Sequence, residues 1–204
     1  MKISQILDKV DDNQLFVPAF QREYVWKRKD AKSLFESLLN EFPTGSLLTW
    51  ETSQPPELKG NVQYNSSMGA IKLILDGQQR ITTLYMLIRG KFPPYYNEEE
   101  IENDVRNLYI EVEKKELSFY RQQTMQDNHL WVKLSDIFNN KIRFRDVRDT
   151  LASAGHAVSK DRLDIIEDNF DDIKKIPEQE FLEQAVPIKA GRKLFRMVSL
   201  FVNV

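Results

Sequence analysis

The sequence predicts an α+β fold, with a strand–loop–strand–helix unit in residues 1–93 and a smaller α+β extension in 94–204. Three observations predict it. Helical apolar spacing flanks two short apolar runs in the first half. The texture changes after Pro93-Pro94, where an acidic stretch gives way to alternating apolar residues. The last periodic segment, 159–175, is again helical.

Taken in order, Ile3, Ile6, Leu7 and Val10 recur at helical spacing and predict a short opening helix. Residues 15–20 read as extended, because Pro18 pushes its predecessor out of the helical region. A helix is predicted from Asp30, whose carboxylate suits the positive end of the dipole. Its apolar face carries Leu34, Phe35, Leu38, Leu39 and Phe42, and Pro43 with Gly45 stops it. Strands are predicted at 47–50 and 71–75, joined by a polar loop over 51–69. Leu84, Leu87 and Ile88 continue a helix that Gly90 and Pro93-Pro94 end.

Further on, Leu108, Ile110 and Val112 alternate, as do Leu117 and Phe119 after Lys114-Lys115-Glu116, which predicts a β-hairpin. Residues 131–134 predict one more strand, and Ser135 is the expected cap of a brief helix through Phe138. Ser159 is expected to cap a helix running to Lys175, with Leu163, Ile166, Phe170 and Ile173 inward and Pro177 ending it.

Composition excludes several functions. The 204 residues are 41% hydrophobic and 29% charged, enough for one folded core. A net charge of −2 excludes a uniformly basic nucleic-acid binder, so any DNA contact must come from a local patch. The absence of cysteine excludes disulfides, thiol catalysis and cysteine-ligated zinc. Two histidines, His129 and His156, argue against a histidine-rich metal site, whereas magnesium held by carboxylates and phosphates stays open. No Walker-type phosphate loop occurs. The N-terminus lacks a signal-peptide core, and no stretch reaches the roughly 20 apolar residues of a membrane span. The apolar run 194–204 is short and carries Arg196, so a cytoplasmic protein is expected.

The most informative segment is Leu73-Ile74-Leu75-Asp76-Gly77-Gln78-Gln79-Arg80-Ile81-Thr82-Thr83-Leu84. An apolar run ends in an acid and a glycine, then two amides and an arginine open an amphipathic helix. Such a strand-to-helix junction presents free N–H groups and a positive dipole end to an anion. Asp-Gly alone is a common turn signal, with the arginine free to pair a nearby acid. Gln78 and Gln79 favour function, because amides are poor turn formers and supply both donors and acceptors. Thr82 and Thr83 add hydroxyls one turn later.

A second cluster is Pro18-Ala19-Phe20-Gln21-Arg22-Glu23-Tyr24-Val25-Trp26-Lys27-Arg28-Lys29. Arginine suits bidentate phosphate recognition and aromatic rings suit base stacking. The plain alternative makes Phe20, Tyr24 and Trp26 packing residues and Lys27, Arg28 and Lys29 a wet surface. For the three cations that alternative is preferred, and for Gln21, Arg22 and Tyr24 the functional one. A third pattern, Asp104 with Glu113 and Lys115 on one strand face, is the loose signature of a metal-dependent nuclease. Alternating Glu and Lys on a wet hairpin is far commoner.

Val17-Pro18-Ala19-Phe20-Gln21-Arg22-Glu23-Tyr24-Val25-Trp26 together with Asp76-Gly77-Gln78-Gln79-Arg80-Ile81-Thr82-Thr83-Leu84 resembles the N-terminal domain of GmrSD-type modification-dependent restriction enzymes. The segments 43–46 and 131–138 are similar to that family too. The resemblance is strong over residues 5–90 and faint afterwards. It implies a ParB/sulfiredoxin-like core, a short mixed sheet with flanking helices, that binds and hydrolyses a nucleotide to drive restriction of modified, typically phage, DNA. Asp76, Gln78, Gln79 and Arg80 would form the catalytic group. Gln21, Arg22, Tyr24, Gly77, Arg80, Thr82 and Thr83 would complete the nucleotide site. Asp76 would hold Mg²⁺ or orient the attacking water, and Arg80 and Arg22 would neutralise phosphate charge. Arg80→Ala is then expected to abolish hydrolysis with the fold intact.

The expected partners are an NTP (GTP or ATP), DNA, and a nuclease domain or subunit absent from this chain, with no membrane. The expected cofactor is Mg²⁺, with no zinc, haem or flavin. Longer relatives carry a histidine-containing nuclease domain downstream, and Phe201 with Asn203 only weakly matches a block where relatives continue. The resemblance thus implies a fragment or an altered C-terminus, without autonomous DNA cleavage. A rival reading is a non-enzymatic DNA-sensing module that uses Arg22, Trp26, Lys27, Arg28 and Lys29 on phosphates and bases.

Overall fold

The computed structural model describes residues 1–60, 62–154 and 158–186. His156, Arg196, Phe201, Asn203 and the apolar run 194–204 lie outside them. Within them are seven α-helices and seven strands, an α+β fold. Helix α1 (Ile3–Asp11) buries Ile3, Ile6, Leu7 and Val10, the residues whose spacing predicted it. Strand β1 (Leu15–Phe16) follows, then α2 (Arg28–Leu39), β2 (Ser46–Thr52), β3 (Ile71–Asp76) and α3 (Gln78–Arg89). The second half holds β4 (Leu108–Glu111), β5 (Glu116–Phe119), α4 (Gln122–Met125), β6 (Trp131–Lys133), α5 (Leu134–Phe138), α6 (Phe144–Ser153), α7 (Lys160–Lys175) and β7 (Leu182–Val186).

The strands form two sheets. One is mixed, in the order β1-β3-β2-β7; β3 runs parallel to β1 and antiparallel to β2, while β2 pairs parallel with β7. The other is antiparallel, in the order β5-β4-β6. Because strand side chains alternate between faces, β3 feeds two clusters. Ile74 joins the main core, and Ile71, Leu73 and Leu75 join Phe16, Trp50 and Leu58 on the opposite face. The main core is continuous from Ile3 to Phe181, so the segments before and after residue 93 share one interior.

Several boundaries differ from the sequence reading. Helix α2 begins at Arg28 rather than Asp30, whose carboxylate instead accepts the Lys27 N–H at 2.8 Å in the first turn. It ends at Leu39, which leaves Phe42 63% exposed rather than on the apolar face. Ser135 lies buried within α5 and caps nothing, whereas Ser159 accepts the Arg162 N–H at 3.3 Å and caps α7 as expected. Leu163 is only half-buried. Helix α6 and strand β7 carried too little apolar signal to be foreseen: α6 buries only Val147 and Leu151, and β7 only Val186. Strand β7 is held by backbone pairing and by Glu183, which accepts from Thr49 Oγ1 at 3.0 Å and Lys72 Nζ at 2.9 Å. Among the described residues, no helix is long and apolar enough to cross a membrane.

Candidate functional site

Strand β3 ends at Asp76, and Gly77 turns the chain into α3 in the left-handed region, at φ +96°. A Cβ there would meet Leu47 Cδ1 at 3.1 Å and Arg80 Nη2 at 3.2 Å, so the turn suits glycine in both conformation and space. No side chain caps the N-terminus of α3, which leaves first-turn N–H groups for a ligand. The junction opens on a cleft of about 150 Å³ lined by residues 76–80 together with Gln21, Arg22 and Trp26. The two motifs, remote in sequence, therefore meet in one place.

They are held together by the glutamines. Gln79 Oε1 accepts the Val25 N–H at 3.0 Å, and its Nε2 donates to Glu23 O at 2.9 Å. That amide closes a two-bond clasp on the 23–25 backbone. The same Nε2 donates to Gln78 Oε1 at 2.9 Å, and Gln78 Nε2 donates to the Tyr96 hydroxyl at 2.5 Å. Gln21 Nε2 reaches back to Leu75 O at 2.8 Å. Gln78 and Gln79 are 3% and 6% exposed, so most of their hydrogen-bonding capacity is turned on the protein.

Arg80 is a strut as well as a cation. Its Nη1 donates to Thr44 O at 2.6 Å, and its Nη2 donates to Ser46 O at 2.6 Å and Asp76 Oδ2 at 3.1 Å. The expected clean loss of activity in Arg80→Ala needs revision, because truncation would strip two carbonyls of their donors. Arg22, by contrast, is exposed on the cleft, and among the described residues no carboxylate pairs with its guanidinium. The cleft wall thus offers two guanidiniums and a helix N-terminus against one carboxylate, Asp76, whose side chain is 71% exposed. That balance suits a polyanion.

Three expected ligand contacts lie elsewhere. Tyr24, Thr82 and Thr83 are buried on the core side rather than lining the cleft. Thr83 Oγ1 donates to Gln79 O at 2.8 Å, so it accepts from the Tyr24 hydroxyl, also at 2.8 Å. Burial pushes the Tyr24 phenol up to about 12, which keeps it a neutral donor. Thr82 Oγ1 bonds the Tyr95 hydroxyl at 3.0 Å. These hydroxyls hold α3 against its surroundings.

Three contributors escaped the sequence reading. Gly45, at φ +91°, lets the 44–46 backbone wrap Arg80, since a Cβ there would lie 2.0 Å from Nη1. Tyr96 accepts from Gln78 and donates to Arg22 O at 3.4 Å, bridging both motifs. Lys59, its side chain only 8% exposed, pairs with Glu23 and sits 5.0 Å from the Tyr96 ring centroid. Tyr95-Tyr96 directly after Pro93-Pro94 was a usable cue for the second of these. Nothing in sequence links Lys59 to the site.

Asp76 is the one carboxylate on the cleft, and no cluster of three or more potential metal ligands occurs among the described residues. A single exposed carboxylate fits Mg²⁺ that takes its other ligands from phosphates and water. Lys27, Arg28 and Lys29 are exposed at the start of α2, next to Trp26, with Arg28 5.1 Å over the Phe119 ring. The nuclease pattern is dispersed. Asp104 bonds Arg106, Glu113 forms a bidentate pair with Arg162 at 2.6 and 2.7 Å, and Lys115 pairs with Asp172. Glu113 and Lys115 belong to the turn between β4 and β5, not to one strand face.

The fold and the cleft define an α+β domain with a cationic strand-to-helix site built from two distant motifs. The family model described as "GmrSD restriction endonuclease, N-terminal domain" matches residues 3–199, and the chain belongs to that family. It is also 28% identical over 143 residues to an uncharacterised protein of Methanocaldococcus jannaschii, an alignment covering 60% of this chain and 24% of that relative. The chain spans about a quarter of the relative's length.

Proposed function

We propose that this chain is the nucleotide-binding, NTP-hydrolysing domain of a bacterial restriction system directed at modified phage DNA. One observation carries the reading: Arg22 and Arg80 line the same cleft as the uncapped first turn of α3. Phosphate oxygens would accept from those N–H groups and from Arg22. Arg80 has N–H donors left beyond its three bonds and adds charge from a fixed position. Asp76 would hold Mg²⁺, which when bound neutralises phosphate charge. Gln78 and Gln79 act by fixing the Arg22 loop on α3, and the alternative role for Asp76 is to orient the attacking water. DNA cleavage falls to a nuclease domain or subunit outside this chain.

The test is NTP hydrolysis with Mg²⁺ by wild-type protein and by Arg22→Ala. Measurable turnover in the first and its loss in the second support the proposal; wild-type turnover no greater than buffer removes its enzymatic half.

A DNA-sensing role is the second reading, favoured by three exposed cations at the positive end of α2, whose first turn carries a single acid, Asp30. Affinity for duplex DNA that falls steeply with salt supports it, since phosphate contacts release counterions. Salt-independent or absent binding counts against it.

A further inference from the structure

The polar loop over 51–69 carries one cation, Lys59, and its side chain is drawn inward rather than left in solvent. The loop lies along the first motif. Lys59 N donates to Val17 O and Ala19 N donates to Glu57 O, both at 2.8 Å, on either side of a bridge between Pro18 and Leu58. Those main-chain bonds seat residue 59 whatever its side chain. An ammonium taken out of water is costly unless it is paired, and this one has two partners. They are the Glu23 carboxylate and the face of the Tyr96 ring, 5.0 Å away. An apolar side chain of similar length in place of a desolvated charge is often neutral or stabilising, so stability alone does not account for a lysine here.

Glu23 is the chain neighbour of Arg22. Main-chain bonds clamp both residues: Gln79 Nε2 donates to Glu23 O, and the Tyr96 hydroxyl donates to Arg22 O. The Arg22 guanidinium nevertheless makes no ion pair among the described residues, although the carboxylate beside it is on a side chain 59% exposed. Other arginines of the chain take the nearest acid. Arg148 donates to Asp149 at 2.9 and 2.8 Å, and Arg106 donates to Asp104. Glu23 differs from those acids in being held by Lys59. A guanidinium bound to Glu23 would have to give up that partner before taking a phosphate, and the carboxylate would set a negative charge beside an anion site.

We propose that Lys59 is a positioning residue that acts through Arg22: by holding the Glu23 carboxylate, it keeps the Arg22 guanidinium unpaired and ready for a polyanion. The proposal rests on the reading of the adjoining cleft as a phosphate site.

The experiment is calorimetric titration of the full chain with inorganic tripolyphosphate and Mg²⁺, run on wild type, Lys59→Met, Glu23→Gln and the double variant. Thermal unfolding of each is recorded alongside, and Lys59→Gln completes the same cycle should methionine unsettle the loop. Lys59→Met is expected to bind about fivefold more weakly with its melting temperature held, because Glu23 then pairs with Arg22. Adding Glu23→Gln should restore affinity to within about twofold of wild type, whereas Glu23→Gln alone should change it by less than about twofold. Wild-type affinity in Lys59→Met overturns the proposal and leaves the phosphate cleft standing. So does a loss that Glu23→Gln fails to restore, which would make the pair a structural clasp. An equal gain from Glu23→Gln with and without Lys59 also overturns it, by reducing the effect to a distant field. Failure of wild type to bind tripolyphosphate overturns the cleft reading and the role of Lys59 with it.

Discussion

Gly45 and Arg80 fit together only because position 45 lacks a side chain: a Cβ there would sit 2.0 Å from Arg80 Nη1. The guanidinium reaches the Thr44 and Ser46 carbonyls on either side of the glycine, which ties the start of β2 to the start of α3. Gly45→Ala must therefore move the arginine or the loop, and it adds strain at φ +91°. The expected cost is about 2–4 kcal/mol in chemical denaturation, with nucleotide affinity falling in parallel. Unchanged stability would mean the loop yields freely.

The two arginines should separate in experiment. Arg22 is exposed and makes no ion pair among the described residues, so Arg22→Ala should leave stability within about 0.5 kcal/mol while reducing nucleotide affinity tenfold or more. Arg80→Ala should lower affinity and also cost about 1–3 kcal/mol, because the Thr44 and Ser46 carbonyls lose their partners. Paired denaturation and binding curves on both variants check this.

Tyr96→Phe removes the hydroxyl that accepts from Gln78 and donates to Arg22 O. A loss of about 1–2 kcal/mol is expected from the orphaned amide. Hydrogen exchange should rise at Val25, whose N–H depends on the neighbouring Gln79 clasp. No change in exchange there would show that the clasp holds without Tyr96.

The acid side of the stability profile should report the Glu113–Arg162 pair. The Arg162 guanidinium, bonded to both carboxylate oxygens, holds the Glu113 carboxyl below its ordinary value of 4.5. The folded state then binds fewer protons than the unfolded state in that range, so the contribution is complete above about 4.5 and fades as pH falls through the lowered value. Both partners are partly exposed, so solvent screening keeps the effect small. Glu113→Gln should flatten the acid limb below pH 4.5 without touching nucleotide binding, and a parallel pair of pH–denaturation series measures it.

An anion site at residues 76–80 was legible in sequence because polar and backbone-permissive residues stood where a strand hands over to a helix, whereas the meeting of the two motifs was implied by the family resemblance alone. The division of labour within them was not legible. Gln78 and Gln79 have the chemistry to position water, and only three-dimensional proximity to Glu23, Val25 and Tyr96 turns them into clasps. Tyr24, Thr82 and Thr83 were drawn to the ligand by motif membership, yet helix geometry sets both threonines on the core side of α3. Strand β7 stayed hidden because parallel pairing with β2, rather than an apolar pattern of its own, supports it. Helix α6 was missed for a related reason, having only Val147 and Leu151 to bury.

The most direct measurement is a crystal structure of the full chain with a non-hydrolysable nucleoside triphosphate and magnesium. The account predicts phosphate oxygens within hydrogen-bonding distance of the first-turn N–H groups of α3, with the Arg22 guanidinium swung onto them and Arg80 still bound to Thr44 and Ser46. Phosphates bound away from residues 76–80, or a saturated crystal with Arg22 left in solvent, would contradict it.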